Sequence, residues 1–75
     1  MIRFLLKERM ADKSFAEGRR ITFDEVSRET GVNRTTLSKI ANQKGYNTTT
    51  DNLDALCGYF GCSVCDLAER VEEPK

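Results

Sequence analysis

Apolar residues recur along this chain in five short blocks at helical spacing, each closed by a glycine or a polar stretch. No β-branched run alternates long enough to predict a strand. The first block is "MIRFLLKERMADKSFAEG", with Ile2, Leu5, Leu6 and Met10 on one stripe and Phe4 off it. It predicts a first helix from the N-terminus that ends between Asp12 and Glu17, with Gly18 as its latest stop. "GRRI" follows as a basic connector.

The second block opens with Thr22 in "TFDE", a Thr-x-x-Glu capping box. There the Thr hydroxyl takes the backbone N–H of residue 25, and Glu25 reaches back to the cap. A second helix is expected over Phe23–Thr30, with Val26 inward and Phe23 and Ser27 beside it. Gly31 supplies a left-handed residue for a sharp corner, and Val32 plugs that corner. Asn33 is a strong N-cap, so a third helix starts at Arg34. It buries Leu37 and Ile40, with Ala41 close by, and leaves Arg34, Thr35, Ser38, Lys39 and Asn42 on other faces.

"QKGYNTTT" reads as a polar loop around Gly45. Thr49 then caps a fourth helix over Thr50–Phe60, carrying Leu53, Leu56, Cys57 and Phe60, and Gly61 ends it. Ser63 and Asp66 start a fifth helix containing Val64, Leu67 and Ala68 and reaching towards Val71. The fold class is all-α with five helices. Residues 1–71 form one domain and 72–75 a polar tail.

Composition narrows the picture. The 75 residues suit one domain with a modest core. At 39% apolar and 32% charged, the chain is globular rather than disordered. No apolar run approaches the roughly 18 residues of a membrane span, and the N-terminus is too charged for a secretory signal, so a cytoplasmic protein is expected. The net charge is zero, yet residues 1–44 hold ten Lys and Arg against six acids, and the remainder mirrors this with an acidic surplus. A polyanion responds to the local field within about 8–10 Å, so the basic half is what counts.

Catalysis finds little support. There is no His, no glycine-rich phosphate loop and no nucleophile beside a base, so an enzyme is not expected. Cys57, Cys62 and Cys65 include a Cys-x-x-Cys, but a tetrahedral metal site needs four ligands. Packing accounts for Cys57 and Cys62, while Cys65, in the first turn of the fifth helix, leaves a redox role open. No cofactor, metal or small-molecule ligand is expected.

A capped helix, a glycine corner and a second short helix make a helix-turn-helix. An α-helix with side chains is about 10–12 Å across, which suits a major groove roughly 12 Å wide. The string "ITFDEVSRETGVNRTTLSKIANQ" followed by "TTTDNLDALCGYFGCSVCDL" resembles the phage-repressor/Cro type of helix-turn-helix protein, also called the XRE family. The likeness is close from Thr22 to Leu67 and extends to nearly all of the chain with the first helix. It implies a lambda-repressor-like domain and a sequence-specific double-stranded DNA-binding transcriptional regulator, a small repressor. Arg34, Thr35, Ser38 and Lys39 then fall at base-reading positions, arginine being the best reader of guanine. Thr22, Asn42, Lys44, Thr49 and Asn52 fall near phosphates, and Arg19, Arg20 and Arg28 are further phosphate candidates.

The sequence departs from the family pattern in places. Phe23 stands where many members carry a DNA-touching Gln, Ser27 replaces the usual alanine, Ala41 stands near a usual Glu, and the connector after the first helix is long. A homodimer would set two reading helices about 34 Å apart, one DNA turn. The same domain also serves as an antitoxin or accessory module. The alternative is therefore a protein partner, a toxin, held by the acidic half.

Overall fold

The computed structural model describes residues 1–43 and 45–72. Lys44 and the end of the polar tail, residues 73–75, lie outside the described residues. The chain order is β1 (Ile2–Phe4), α1 (Leu6–Glu17), α2 (Phe23–Thr30), α3 (Arg34–Asn42), α4 (Thr50–Phe60), α5 (Val64–Leu67) and β2 (Ala68–Arg70). Among the described residues five helices dominate and two strands form a minor antiparallel ribbon. Among the described residues no helix is long and apolar enough to cross a membrane.

The helices begin and end where their caps dictate. Thr22 accepts the Glu25 N–H at 3.2 Å, Asn33 the Thr35 N–H at 2.7 Å and Thr49 the Asn52 N–H at 3.1 Å. Each bond satisfies one of the donors that a helix start leaves without an internal partner. α1 runs to its latest expected stop, and Gly18 closes it in the left-handed conformation. Gly31 does the same for α2, at φ 77°, and its N–H bonds the Ser27 carbonyl at 2.8 Å. At α5, Asp66 accepts the Ser63 N–H at 3.2 Å.

Both ends of the chain differ from the expected pattern. Residues 2–4 form β1 rather than a first helical turn, and α5 stops at Leu67, so Ala68 and Val71 are not helical. The cause is pairing between the two ends. Ile2 faces Arg70, Arg3 faces Glu69 and Phe4 faces Ala68. The Leu5 N–H bonds the Leu67 carbonyl at 2.6 Å, and the Val71 N–H bonds the Met1 carbonyl at 2.9 Å. Paired this way, short terminal segments satisfy their backbone groups without a helix.

Glu25 also departs from the expected capping box. Its carboxylate does not turn back to the α2 cap. It takes the Arg19 guanidinium at 2.6 Å and the Tyr59 hydroxyl at 3.3 Å. A charged donor outbids a neutral backbone N–H.

Leu6, Ile21, Val26, Val32, Leu37, Ile40, Leu56 and Leu67 form the core. They come from α1, the connector, α2, the α2–α3 corner, α3, α4 and α5, so this one cluster fixes every described helix. Phe23, Ala41, Leu53, Cys57 and Phe60 pack around it. Burying a Leu or Val side chain contributes about 1.5–3 kcal/mol relative to leaving it in water. The two core side chains of α3, Leu37 and Ile40, therefore decide which face of that helix is turned outward.

Candidate nucleic-acid interface

α3 is anchored by Leu37, fully buried, and Ile40, 2% exposed. The opposite side of a nine-residue helix must then meet solvent. Arg34, Thr35, Lys39 and Asn42 are exposed there, and Ser38 is half-buried between them. All four expected base-reading residues thus lie on α3 away from the core. Their polar ends have different partners, however.

Arg34 stands at the edge of this face. Its Nη1 lies 3.1 Å from Oδ1 of Asp24, in the first turn of α2. The Asn42 amide donates to the Ser38 carbonyl at 2.9 Å and to its hydroxyl at 3.4 Å, so these two side chains act as a linked pair. The Thr35 side chain is free of any such tie among the described residues, but its backbone N–H is already held by Asn33. Lys39 lies at the far edge, with Nζ 6.0 Å from the Tyr46 ring centre. The face presents a guanidinium, two hydroxyls, an amide and an ammonium, which can donate to and accept from base edges.

A groove of about 510 Å³ opens beside Arg34. Lys7 and Met10 of α1, Arg20 and Thr22 of the connector, and Asp24 of α2 line it with Arg34. Lys7, Arg20 and Arg34 give it three cations and Asp24 one acid. Lys7 also lines a second groove, with Arg3, Ala41, Asn42 and Gln43, along the C-terminal half of α3. It therefore flanks α3 at both ends. No pattern in the sequence singled it out, because only the packing of α1 against α3 brings it there. Among the described residues neither Lys7 nor Arg20 is in an ion pair.

The remaining phosphate candidates divide into two groups. Thr22 and Thr49 are committed as caps through their hydroxyls, and the Asn52 amide donates to the Thr48 hydroxyl at 3.1 Å. Each of them keeps capacity for a further bond, since a hydroxyl has one proton and a second lone pair and the Asn52 amide a second N–H and a carbonyl. Arg19 and Arg28 are already engaged with acids. Arg19 lies 2.9 Å from Glu17 and 2.6 Å from Glu25, and Arg28 lies 4.0 Å from Glu25 and 3.9 Å from Glu29.

The Arg19 cluster also ties the connector to α4. Lys13 sits 2.8 Å from Glu17 and 4.7 Å from the Tyr59 ring centre, and Tyr59 donates to Glu25. Bonding to Arg19 holds the Glu25 carboxyl below its ordinary value, and bonding to Lys13 does the same for Glu17. Burial, followed by the charge of Glu25, pushes the Tyr59 hydroxyl up. Cys57 and Cys62 are half-buried and Cys65 is exposed, all three free, and burial raises the Cys57 thiol.

Two helices joined at a left-handed glycine, the second showing a polar face next to a cationic groove, make a helix-turn-helix. A sequence model of the Cro/C1-type HTH DNA-binding domain matches residues 6–73. The chain belongs to this Cro/C1-type family. As a member it is a DNA-binding regulator whose partner is double-stranded DNA. Comparison with curated proteins and with solved structures found no match. In this Cro/C1-type domain Phe23 is half-buried against the core, so the position where many members carry a polar side chain instead helps to close the base of α2.

Proposed function

We propose that this Cro/C1-type domain is a sequence-specific transcriptional regulator, a small repressor that reads the major groove with α3. Arg34, Thr35, Ser38 and Lys39 contact base edges. Thr22, Arg20, Asn42, Thr49, Asn52 and Lys44 contact flanking phosphates, and Arg19 and Arg28 contribute less because acids already hold them. The observation that carries this reading is the exposure of Arg34, Thr35 and Lys39 on α3 beside a groove with three cations. A repressor needs no more than occupancy of an operator.

The test is binding to duplex fragments selected from a random pool. A plot of log K against log[salt] should fall steeply, by about 0.9 for each phosphate neutralised. Arg34→Ala should cost roughly 1–3 kcal/mol on the selected site and much less on unrelated DNA. A flat salt plot, or equal losses on both duplexes, would remove the assignment. A homodimer belongs to the same reading and would appear as a two-fold symmetric site with half-sites about 34 Å apart.

The second reading is an antitoxin or accessory module with a protein partner. What favours it is apolar surface: Ile2 is 43% and Val64 55% exposed beside a groove lined by Phe4, Tyr46, Leu53 and Ala68. Co-purification with the product of a neighbouring gene would support it, and free protein that binds DNA alone would leave the first reading sufficient.

A further inference from the structure

The cationic groove contains an acid that the DNA-binding reading leaves unexplained. Asp24 is in the first turn of α2, and its carboxylate reaches the Arg34 guanidinium at 3.1 Å. A carboxylate beside a phosphate backbone lowers affinity through like-charge repulsion, so its presence at this edge weakens binding to DNA in general. Asp24 complements the dipole at the start of α2, as any acid there would, but its pairing with Arg34 is not a stability device. Both side chains are 68% exposed, and an ion pair so solvated contributes little.

We infer that Asp24 is a specificity-determining residue that positions Arg34 for guanine and denies it a phosphate. This rests on the reading of α3 as the groove-reading helix. Arg34 meets Asp24 through Nη1, which leaves Nε and Nη2 as a parallel pair of donors on the guanidinium. Such a pair matches O6 and N7 of guanine. Without Asp24 the long arginine side chain can swing to any nearby phosphate oxygen, a contact that carries no sequence information. With Asp24, that swing breaks a charge-assisted bond and brings a phosphate towards a carboxylate. Docking excludes water from the pair, so a bond that is weak in the free protein becomes stronger in the complex. The two effects have opposite signs: Asp24 lowers affinity for all DNA and raises discrimination at one base pair.

Asp24→Asn separates them. It keeps the side-chain shape and removes the charge. With a selected duplex in hand, dissociation constants are measured for wild type, Asp24→Asn, Arg34→Ala and the double variant. Each is tested on the selected site, on versions with single guanines replaced, and on unrelated duplex. Asp24→Asn should bind unrelated duplex several-fold more tightly. It should lose about tenfold of the wild-type discrimination at the one base pair where Arg34→Ala also loses it, within the range that one bidentate base contact supplies. At other base pairs its discrimination should be unchanged, and in the Arg34→Ala background it should no longer affect the shared one. Asp24→Glu keeps the charge and should retain part of the discrimination, which a loss of α2 helicity would not allow. Tighter general binding with wild-type discrimination would reduce Asp24 to a passive charge and overturn the inference. If wild type selected no sequence at all, the groove-reading assignment would fall first and this inference with it.

Discussion

The turn that seats α3 makes a sharp stability prediction, because two glycines with equal space around them should respond to the same substitution with opposite sign. At Gly31 a Cβ would meet no atom within 4 Å, and the same holds at Gly58 in α4. Steric clash therefore contributes to neither, and backbone conformation decides. Gly31 lies at φ 77°, a left-handed conformation that costs an L residue roughly 1–2 kcal/mol. Gly58 lies inside a helix with no such conformation, where alanine is better than glycine by about 0.5–1 kcal/mol. Gly31→Ala should thus destabilise by about 1–2 kcal/mol and Gly58→Ala should stabilise by about 0.5–1 kcal/mol. In a domain of this size each kcal/mol moves the melting midpoint by about 4–8 °C. Urea and thermal unfolding followed by far-UV circular dichroism reads both. Gly31→Asn adds a control, since asparagine visits the left-handed region more readily and should lose less than alanine. If Gly31→Ala were neutral, or if both alanine variants moved the same way, the corner between α2 and α3 would not be the left-handed turn described.

Two further perturbations test other parts of the structure. Lys7→Gln should weaken binding to selected and unrelated duplexes alike and reduce the salt slope by about one, whereas an unchanged slope would place Lys7 off the DNA. Glu25 is held below its ordinary value of 4.5 by Arg19, so its contribution to stability is complete above that value and is lost as pH falls through the lower, folded-state one. Urea midpoints should therefore drop on acidification below about pH 4.5, and Glu25→Gln should show a shallower drop; identical pH profiles would mean the Arg19–Glu25–Tyr59 contacts are absent in solution.

The helix-turn-helix was legible in the chain because its signals are local. Thr22, Asn33 and Thr49 cap within three residues of themselves, Gly31 and Gly61 end helices in place, and Val26, Leu37, Ile40 and Leu56 keep helical spacing. What escaped depends on residues far apart. The β-ribbon pairs residues 2–4 with 68–70, and three residues are too few for alternation to stand out from a helical stripe. Glu25 reads as the partner of its own cap until Arg19, in the connector, and Tyr59, in another helix, take its carboxylate. The side of the site that runs along α1 is of the same kind, since Lys7 reaches the flank of α3 only through packing. Charge counts along the chain also miss pairing. They credit Arg19, Arg28 and Arg34 fully to the basic half, while Glu25 and Asp24 sit within 4.0 Å of them.

The central claim is that the outward face of α3 enters the major groove. Methylation interference on a selected duplex tests it most directly, because N7 of guanine opens only into that groove. Methylating one or more guanines at N7 should abolish binding of the wild-type protein, and Arg34→Ala should become insensitive at the guanine that Arg34 reads. Binding that tolerates N7 methylation throughout the site, while methylation of adenine N3 in the minor groove blocks it, would contradict the account.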